Sequence, residues 1–369
     1  MQTQPANRQT NAYWLILFLP LLLGFVGLVL FFNNRQTPVP ASWGAAGGPR
    51  TSLADLLNTL QQGLLSPIVA SVFGVLILSR QHRHRIGWLL IAIGAIFALS
   101  VVLTEWAVFG HPQFGQAYRG AQLAAWITNW LWIVILSVVY LMIALFPSGS
   151  FLSRRWRAVY TLGALLFLIP GLISAGIETP MTSAFRLPNP FISPQVATDS
   201  LYNILFPMAL VGMFFATVVV LAETATRYRR GFGVEHEQIK WLLAGVVLFA
   251  VLEIVGVTLA ADAIFAWESQ TGTASVRSAL GSFMVNAAVL ALFTGIGIAM
   301  VRHQLYDIDF LIRRTTSYAI LTGLLALIYL ASVIVLQRLV TPLTGTSTIT
   351  VVLSTLLIAA LFLPIRRRV

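Results

Sequence analysis

The most regular feature of the chain is a series of long apolar runs separated by short polar or glycine-rich segments. A helix that crosses a bilayer needs about 20 mostly apolar residues, and several runs meet this requirement. None of them alternates apolar and polar residues with the period expected of a barrel strand. The pattern therefore predicts an all-α fold, a polytopic membrane helix bundle of about ten transmembrane helices that forms a single domain. The predicted spans are 12–32, 64–80, 86–109, 122–146, 158–176, 201–222, 240–260, 278–301, 317–339 and 349–365.

Composition supports this interpretation, because 58% of the residues are apolar and only 9% are charged. Soluble domains carry about 25% charged residues, so this chain lacks the polar side chains that a water-exposed surface requires. It has no cysteine, which excludes disulfides and thiolate metal sites. The excess of 23 Lys and Arg over 12 Asp and Glu is typical of cytoplasmic loops in membrane proteins, and we expect no nucleic-acid partner.

The basic residues are distributed unevenly between alternate loops. If the N-terminus is cytoplasmic, 17 of the 23 fall on the inner side and 6 on the outer side. The positive-inside rule then predicts that both the N and C termini are cytoplasmic and that the number of spans is even. The basic residues expected to anchor the inner edges are Arg154, Arg155, Arg157, Arg227, Arg229, Arg230, Arg313, Arg314, Arg366, Arg367 and Arg368.

The longest spacer, residues 33–63, combines two patterns. A Pro/Gly/Ala-rich stretch comes first, and leucines at helical spacing then run from Leu53 to Leu64. Ser52 and Asp55 resemble the capping pair that begins a helix. The segment is predicted to form an amphipathic helix on the outer leaflet, either as a connector or as a lid over an outer cavity.

The sequence lacks the common motifs of soluble enzymes. It contains no phosphate-binding loop, no zinc-protease helix, no nucleophile elbow and no dinucleotide fingerprint. His82 and His84 lie two residues apart among arginines, whose charges oppose metal binding, and a metal centre needs three or four ligands. We therefore expect no enzymatic activity, no metal site and no cofactor.

A few polar side chains within the predicted spans are candidates for a ligand site, because intramembrane polar groups are costly and commonly functional. Counted at 1.5 Å per residue, four of them fall in one layer below the outer surface, and two tryptophans share a helical face with one of the four. Tryptophan faces and carboxylates both attract cations, so a small amphipathic or cationic ligand would suit such a cavity. The alternative is that these groups only join helices. The candidates are Glu105, at the mouth, and Trp126, Asn129, Trp130, Glu253 and Asn286.

Four segments along the inner edges together resemble a known family. They are LFPSGSFLSRRWR (145–157), RYRRGFGVEHEQIKWLL (227–243), RHQLYDIDFLIRRTTSYAILT (302–322) and LFLPIRRRV (361–369). The set resembles the multi-pass N-terminal sensor region of bacterial sensor histidine kinases. The resemblance implies a bacterial plasma-membrane protein that senses a signal and passes it through its last helix to a cytoplasmic output domain of the two-component type. The sequence contains no phosphoacceptor histidine box and no nucleotide-binding domain, so the kinase would lie outside it.

Other interpretations stay open at this stage. Segments 86–230 and 239–369 share a faint pattern that would fit two parallel repeats, and parallel repeats are a feature of transporters. A small-solute transporter or channel-like protein is therefore the alternative function, and a membrane-embedded enzyme is the weakest one. The expected partners are the lipid bilayer, an unknown extracellular or intramembrane ligand, a cytoplasmic kinase or output domain, and a second copy of the chain if it forms a homodimer.

Overall fold

The computed structural model of the chain describes residues 16–40, 48–115, 117–192, 199–264 and 276–304. Within these ranges the regular elements are helical, apart from two isolated β-bridges. The α-helices are α1 (Phe18–Asn34), α2 (Leu53–Leu60), α3 (Ser66–Arg80), α4 (Arg85–Gly110), α5 (Ala121–Leu145), α6 (Arg154–Ile177), α7 (Asp199–Arg230), α8 (Val234–Ile264) and α9 (Val276–Gln304).

Seven stretches of helix in the described residues are long and apolar enough to cross a membrane. They coincide with the seven spans predicted between 64–80 and 278–301. Helix α1 covers most of the first predicted span but is only 17 residues long. The described residues thereby confirm an all-helical fold with seven helices of membrane-spanning length and apolarity, as a multi-pass membrane protein requires.

Several predictions lie outside the described residues. The spans 317–339 and 349–365 are among them, as is most of the second half of the proposed repeat, 239–369. The anchors outside the described residues are Arg313, Arg314, Arg366, Arg367 and Arg368.

The segment predicted to be a separate surface helix is the first part of a longer helix. Helix α2 begins at the expected capping box, in which the Ser52 hydroxyl accepts from the Asp55 N–H and the Asp55 carboxylate accepts from the Ser52 N–H. A π turn, Gln61–Leu65, then joins α2 directly to α3. Because a π turn changes the helical period, the apolar face shifts at this point. The apolar pattern of the sequence therefore resembled a surface helix followed by a separate membrane span.

Helices that follow one another along the chain pack as antiparallel pairs: α3 with α4, α6 with α7, and α8 with α9. Helix α1 packs on α4, α5 lies between α4 and α6, and α9 also contacts α3. The largest core cluster joins α3, α4, α5, α8 and α9, and includes Leu90, Met142 and Phe293. Small residues permit the closest approaches. A Cβ added to Gly212 would meet the backbone of Leu166 on α6.

One end of the bundle, which we name the basic end, carries the loops 81–84, 146–153 and 231–233. The first two of these loops touch each other: Arg85 Nη1 donates to the Gly149 carbonyl, and the half-buried His84 ring lies against Gly149. Burial lowers the pKa of His84 below its usual 6.5, although a hydrogen bond with the Pro147 carbonyl acts in the opposite direction. These contacts hold neighbouring helix ends together.

Arg227 has an internal role that its sequence pattern did not indicate. Its side chain is 4% exposed and donates to the carbonyl oxygens of Ala144 and Ser150. It also pairs with Glu223, whose carboxylate accepts from the Leu152 N–H. Arg227 therefore fastens the 146–153 loop to α7 and does not face lipid headgroups. The exposed basic residues predicted as anchors at this end are Arg154, Arg155, Arg157, Arg229 and Arg230.

Candidate functional site

A small polar pocket lies at the opposite end of the bundle, which we name the pocket end. Its volume is about 90 Å³. Five parts of the chain form its walls: α1, the segment around Arg50, α2 with the π turn, α4, and the loop that follows α6. The lining residues are Phe31, Arg50, Asp55, Asn58, Thr59, Gln62, Val101, Thr104, Glu105 and Phe185.

A buried ion pair lies in the pocket wall. Arg50 Nη1 and Nη2 donate to the two carboxylate oxygens of Glu105 at 2.5 and 2.8 Å, and Asn34 Nδ2 also donates to this carboxylate at 2.9 Å. The guanidinium lies 5.4 Å from the ring centroids of both Phe31 and Phe185, within the range of cation–π attraction. These contacts hold Arg50 in one position, and Glu105 lies in the pocket wall.

Three side chains of the lining, on α2 and α4, present hydrogen-bond acceptors. The hydroxyls of Thr59 and Thr104 donate to carbonyl oxygens one helical turn earlier, so only their lone pairs remain for a ligand. Asp55 uses only Oδ2 in the capping box. Among the described residues, Asp55 Oδ1 has no hydrogen-bond partner.

A chain of amide side chains connects the pocket to α9. Gln62 Nε2 donates to Asn286 Oδ1 at 2.9 Å, and Asn286 Nδ2 donates to Asn58 Oδ1 at 3.1 Å. Gln62 and Asn58 line the pocket, while Asn286 lies on the long helix α9 that continues toward the basic end. The structure therefore places one predicted residue, Glu105, in the pocket wall and a second, Asn286, in contact with two residues that line it.

Three other predicted residues form a second cluster around the loop after α6. Asn129 is fully buried and donates to the Ala175 carbonyl and to the Glu178 carboxylate. It also accepts from the Ser183 N–H. Trp126 donates to the Gly176 carbonyl and packs edge to face against Trp130. These contacts fix the loop that carries Phe185 into the pocket wall.

Glu253, the remaining predicted residue, lies on α8 and is partly exposed. Within the described ranges it forms no hydrogen bond or ion pair, and it does not line the pocket. The six candidates thus fall into a pocket pair, a loop cluster and a separate carboxylate. Depth along the membrane placed them in one layer but did not indicate their positions around the bundle.

Comparisons with known proteins are negative. No protein-family model, no curated protein and no solved structure matches this chain. Any function must therefore be argued from the residues themselves.

Sequence reasoning missed most of the pocket lining. Arg50 and Asn34 contact Glu105 from 55 and 71 residues away, and Asn58 contacts Asn286 from 228 residues away. The one available signal was charge: a buried carboxylate at Glu105 needs a cationic partner, and Arg50 is one of the few basic residues assigned to the same side.

Proposed function

We propose that the chain is a membrane-embedded sensor module that receives a signal in the pocket and passes it through its helices to a cytoplasmic output domain. The proposal includes ten spans with both termini in the cytoplasm of a bacterial cell. The positive-inside rule assigns the basic end to the cytoplasm, so the pocket would face the outside. The resemblance of the basic-end motifs to sensor kinase membrane regions supports the same direction of signalling.

The observation that carries the proposal is the hydrogen-bonded link between the pocket and α9. A ligand that contacts Asn58 or Gln62 would compete with their bonds to Asn286. Helix shifts of about 1–2 Å are a common switching mechanism in proteins. Since α9 extends for 29 residues from the pocket end, a shift of the helix at Asn286 would also move its other end, at the basic end of the bundle.

The π turn gives the link a means of moving. Gln62 lies within it, and the turn joins two helical segments whose faces it rotates relative to each other. Single π turns inside α-helices are frequent at functional sites. A change in the bonds of Gln62 would therefore alter how α2 is set on α3.

The test is a reporter fusion in which a cytoplasmic histidine kinase follows Val369. Asn286→Leu removes the link to the pocket, and Asn33→Leu is the matched control, because exposed Asn33 bonds only within its own helix. We expect Asn286→Leu to change the basal kinase output at equal membrane content, and Asn33→Leu to leave it unchanged. Equal output from both variants and the parent would contradict a signalling role for the pocket.

One observation favours the alternative, a small-solute transporter. Transporters bind their substrates where the regular hydrogen bonding of a membrane helix is broken, and the π turn is a milder departure from that regularity beside a polar pocket. Reconstitution into liposomes decides between the two: uptake of a small solute by the chain alone, without any kinase, would support transport.

A further inference from the structure

We propose that the pocket binds a small primary ammonium group, R–NH₃⁺, where R is a short carbon chain. This inference deepens the proposed function and rests on it for its biological meaning, but binding itself is measured on the isolated chain. It is carried by the charge of the pocket, by the acceptors that it presents and by its size.

The charged residues that line the pocket do not balance. Arg50 and Glu105 neutralise each other through two direct hydrogen bonds. Asp55 is the third charged residue of the lining, and no cationic side chain pairs with it in the described part of the chain. The pocket therefore carries one net negative charge, and a cation is the complementary ligand.

The pocket presents hydrogen-bond acceptors that suit an ammonium group. An ammonium group has three N–H donors and no acceptor. The pocket presents the free Oδ1 of Asp55, the Oε1 of Gln62, whose amide group donates one N–H to Asn286, and the hydroxyl oxygens of Thr59 and Thr104, whose hydrogens are committed to the backbone. Three donors of one ligand can thus meet acceptors on two walls.

The same groups are poorly suited to a divalent metal ion. Calcium takes about six to eight oxygen ligands, several of them from carboxylates. Glu105 is already occupied by Arg50 and Asn34, which leaves only Asp55. In the described residues there is no group of three or more His, Asp or Glu that could hold a metal.

Size and apolar lining define the rest of the ligand. The volume of about 90 Å³ leaves room for a small group of several non-hydrogen atoms, since a single water molecule needs only about 10–15 Å³ of such space. Ethylammonium or ethanolammonium fits this space, and Phe31, Val101 and Phe185 offer apolar contacts to the carbon chain. A tetramethylammonium ion has no N–H to donate, so the acceptors would stay unpaired.

The ammonium group could come from a free amine or from the headgroup of an ethanolamine lipid, since both present the same chemistry. The pocket end is where headgroups would lie if the spans cross a bilayer. Nanodiscs of phosphatidylcholine contain no primary ammonium and therefore separate the two sources.

The experiment is calorimetric titration of the full chain in phosphatidylcholine nanodiscs with ethylammonium chloride. We expect saturable binding of ethylammonium and none of tetramethylammonium or ethanol at the same concentrations. If phosphatidylethanolamine nanodiscs weaken the apparent affinity for ethylammonium tenfold or more, the headgroup occupies the pocket; an unchanged affinity assigns the pocket to a free amine. The absence of ethylammonium binding in both kinds of nanodisc would overturn the proposal.

Variants assign the binding to this pocket. Thr104→Val removes one acceptor and Asp55→Asn removes the charge. The matched control is Thr128→Val, because the Thr128 hydroxyl also donates one turn back but lies outside the pocket. We expect a three- to tenfold loss of affinity for Thr104→Val, loss of binding for Asp55→Asn, and no change for Thr128→Val. Equal losses in Thr104→Val and Thr128→Val would place the amine elsewhere.

Asp55 also begins α2, so Asp55→Asn must first be shown to retain the melting temperature of the parent. If it does not, Gln62→Leu replaces it, with an expected three- to tenfold loss of affinity because it removes one neutral acceptor. The reporter fusion keeps the two proposals apart. If the amine binds but does not change the kinase output, the ligand assignment holds and the sensing role is contradicted. If Asn286→Leu alters the kinase output but no amine binds, the sensing role holds and the ligand assignment is contradicted.

Discussion

The Arg50–Glu105 pair predicts strong energetic coupling between two segments that are distant in sequence. The perturbations are Arg50→Met, Glu105→Gln and the double variant. The two side chains are 8% and 3% exposed, so each single substitution leaves one buried group without its charged partner. Breaking a buried pair in this way costs about 3–5 kcal/mol. The double variant leaves neither charge, so its cost should fall well below the sum, with a coupling energy of about 2–4 kcal/mol.

The assay is unfolding by SDS from decyl maltoside micelles, followed by tryptophan fluorescence, with a free energy of unfolding for each of the four proteins. A matched control cycle uses Lys240 and Glu237, which form an ion pair at 2.6 Å with side chains 47% and 45% exposed. Solvent screens such a pair, so we expect no measurable coupling there.

Two results would refute this reasoning. Additive effects within about 0.5 kcal/mol would mean that Arg50 and Glu105 do not stabilise each other. Equal coupling in the exposed and the buried cycle would mean that burial does not determine the magnitude.

Three further predictions concern other parts of the bundle. Because burial lowers the pKa of His84, the folded state favours the neutral ring, and the melting temperature of the parent should fall as the pH drops from 7.5 to about 5. This fall should be smaller in His84→Gln. The control is His82→Gln, a change at an exposed residue of the same loop, which should show the same fall as the parent. Gly212→Ala places a Cβ 2.4 Å from the backbone of α6 and should cost about 1–3 kcal/mol in the SDS assay, while Gly176→Ala, whose nearest contact is 3.8 Å away, should have little effect. Asn129→Leu leaves buried polar groups unpaired and should cost about 1–3 kcal/mol; stability equal to the parent would contradict the role of Asn129 in holding the loop.

The helices could be predicted from the sequence because each depends on a local pattern. Seven apolar runs became membrane-length helices, some of which extend well beyond the expected limits, as at Asp55 and Arg230, and the capping box of Ser52 and Asp55 formed as expected. The π turn could not be predicted, since apolar periodicity does not distinguish a continuous helix with one widened turn from two elements that meet there.

The site was predicted only in part, because its contacts are not local. Glu105 and Asn129 were found through the cost of polar groups at depth. Their partners could not be assigned: hydropathy gives the height of a residue in the bilayer but not its direction around the bundle. Arg50 appeared to be an ordinary loop residue, and only the three-dimensional structure shows its guanidinium between the rings of Phe31 and Phe185.

Because Val39 and Gly48 form a β-bridge, the position of Arg50 should not depend on how many residues lie between them. The two residues exchange backbone hydrogen bonds at 3.1 and 2.7 Å, so the chain leaves the end of α1 and returns to the bundle at a fixed point. The entropy cost of closing a loop rises by only about 0.6 kcal/mol for each doubling of its length. Peptide insertions between Val39 and Gly48 should therefore be tolerated, which makes this loop a suitable place for an epitope tag that reports on which side of the membrane the pocket lies.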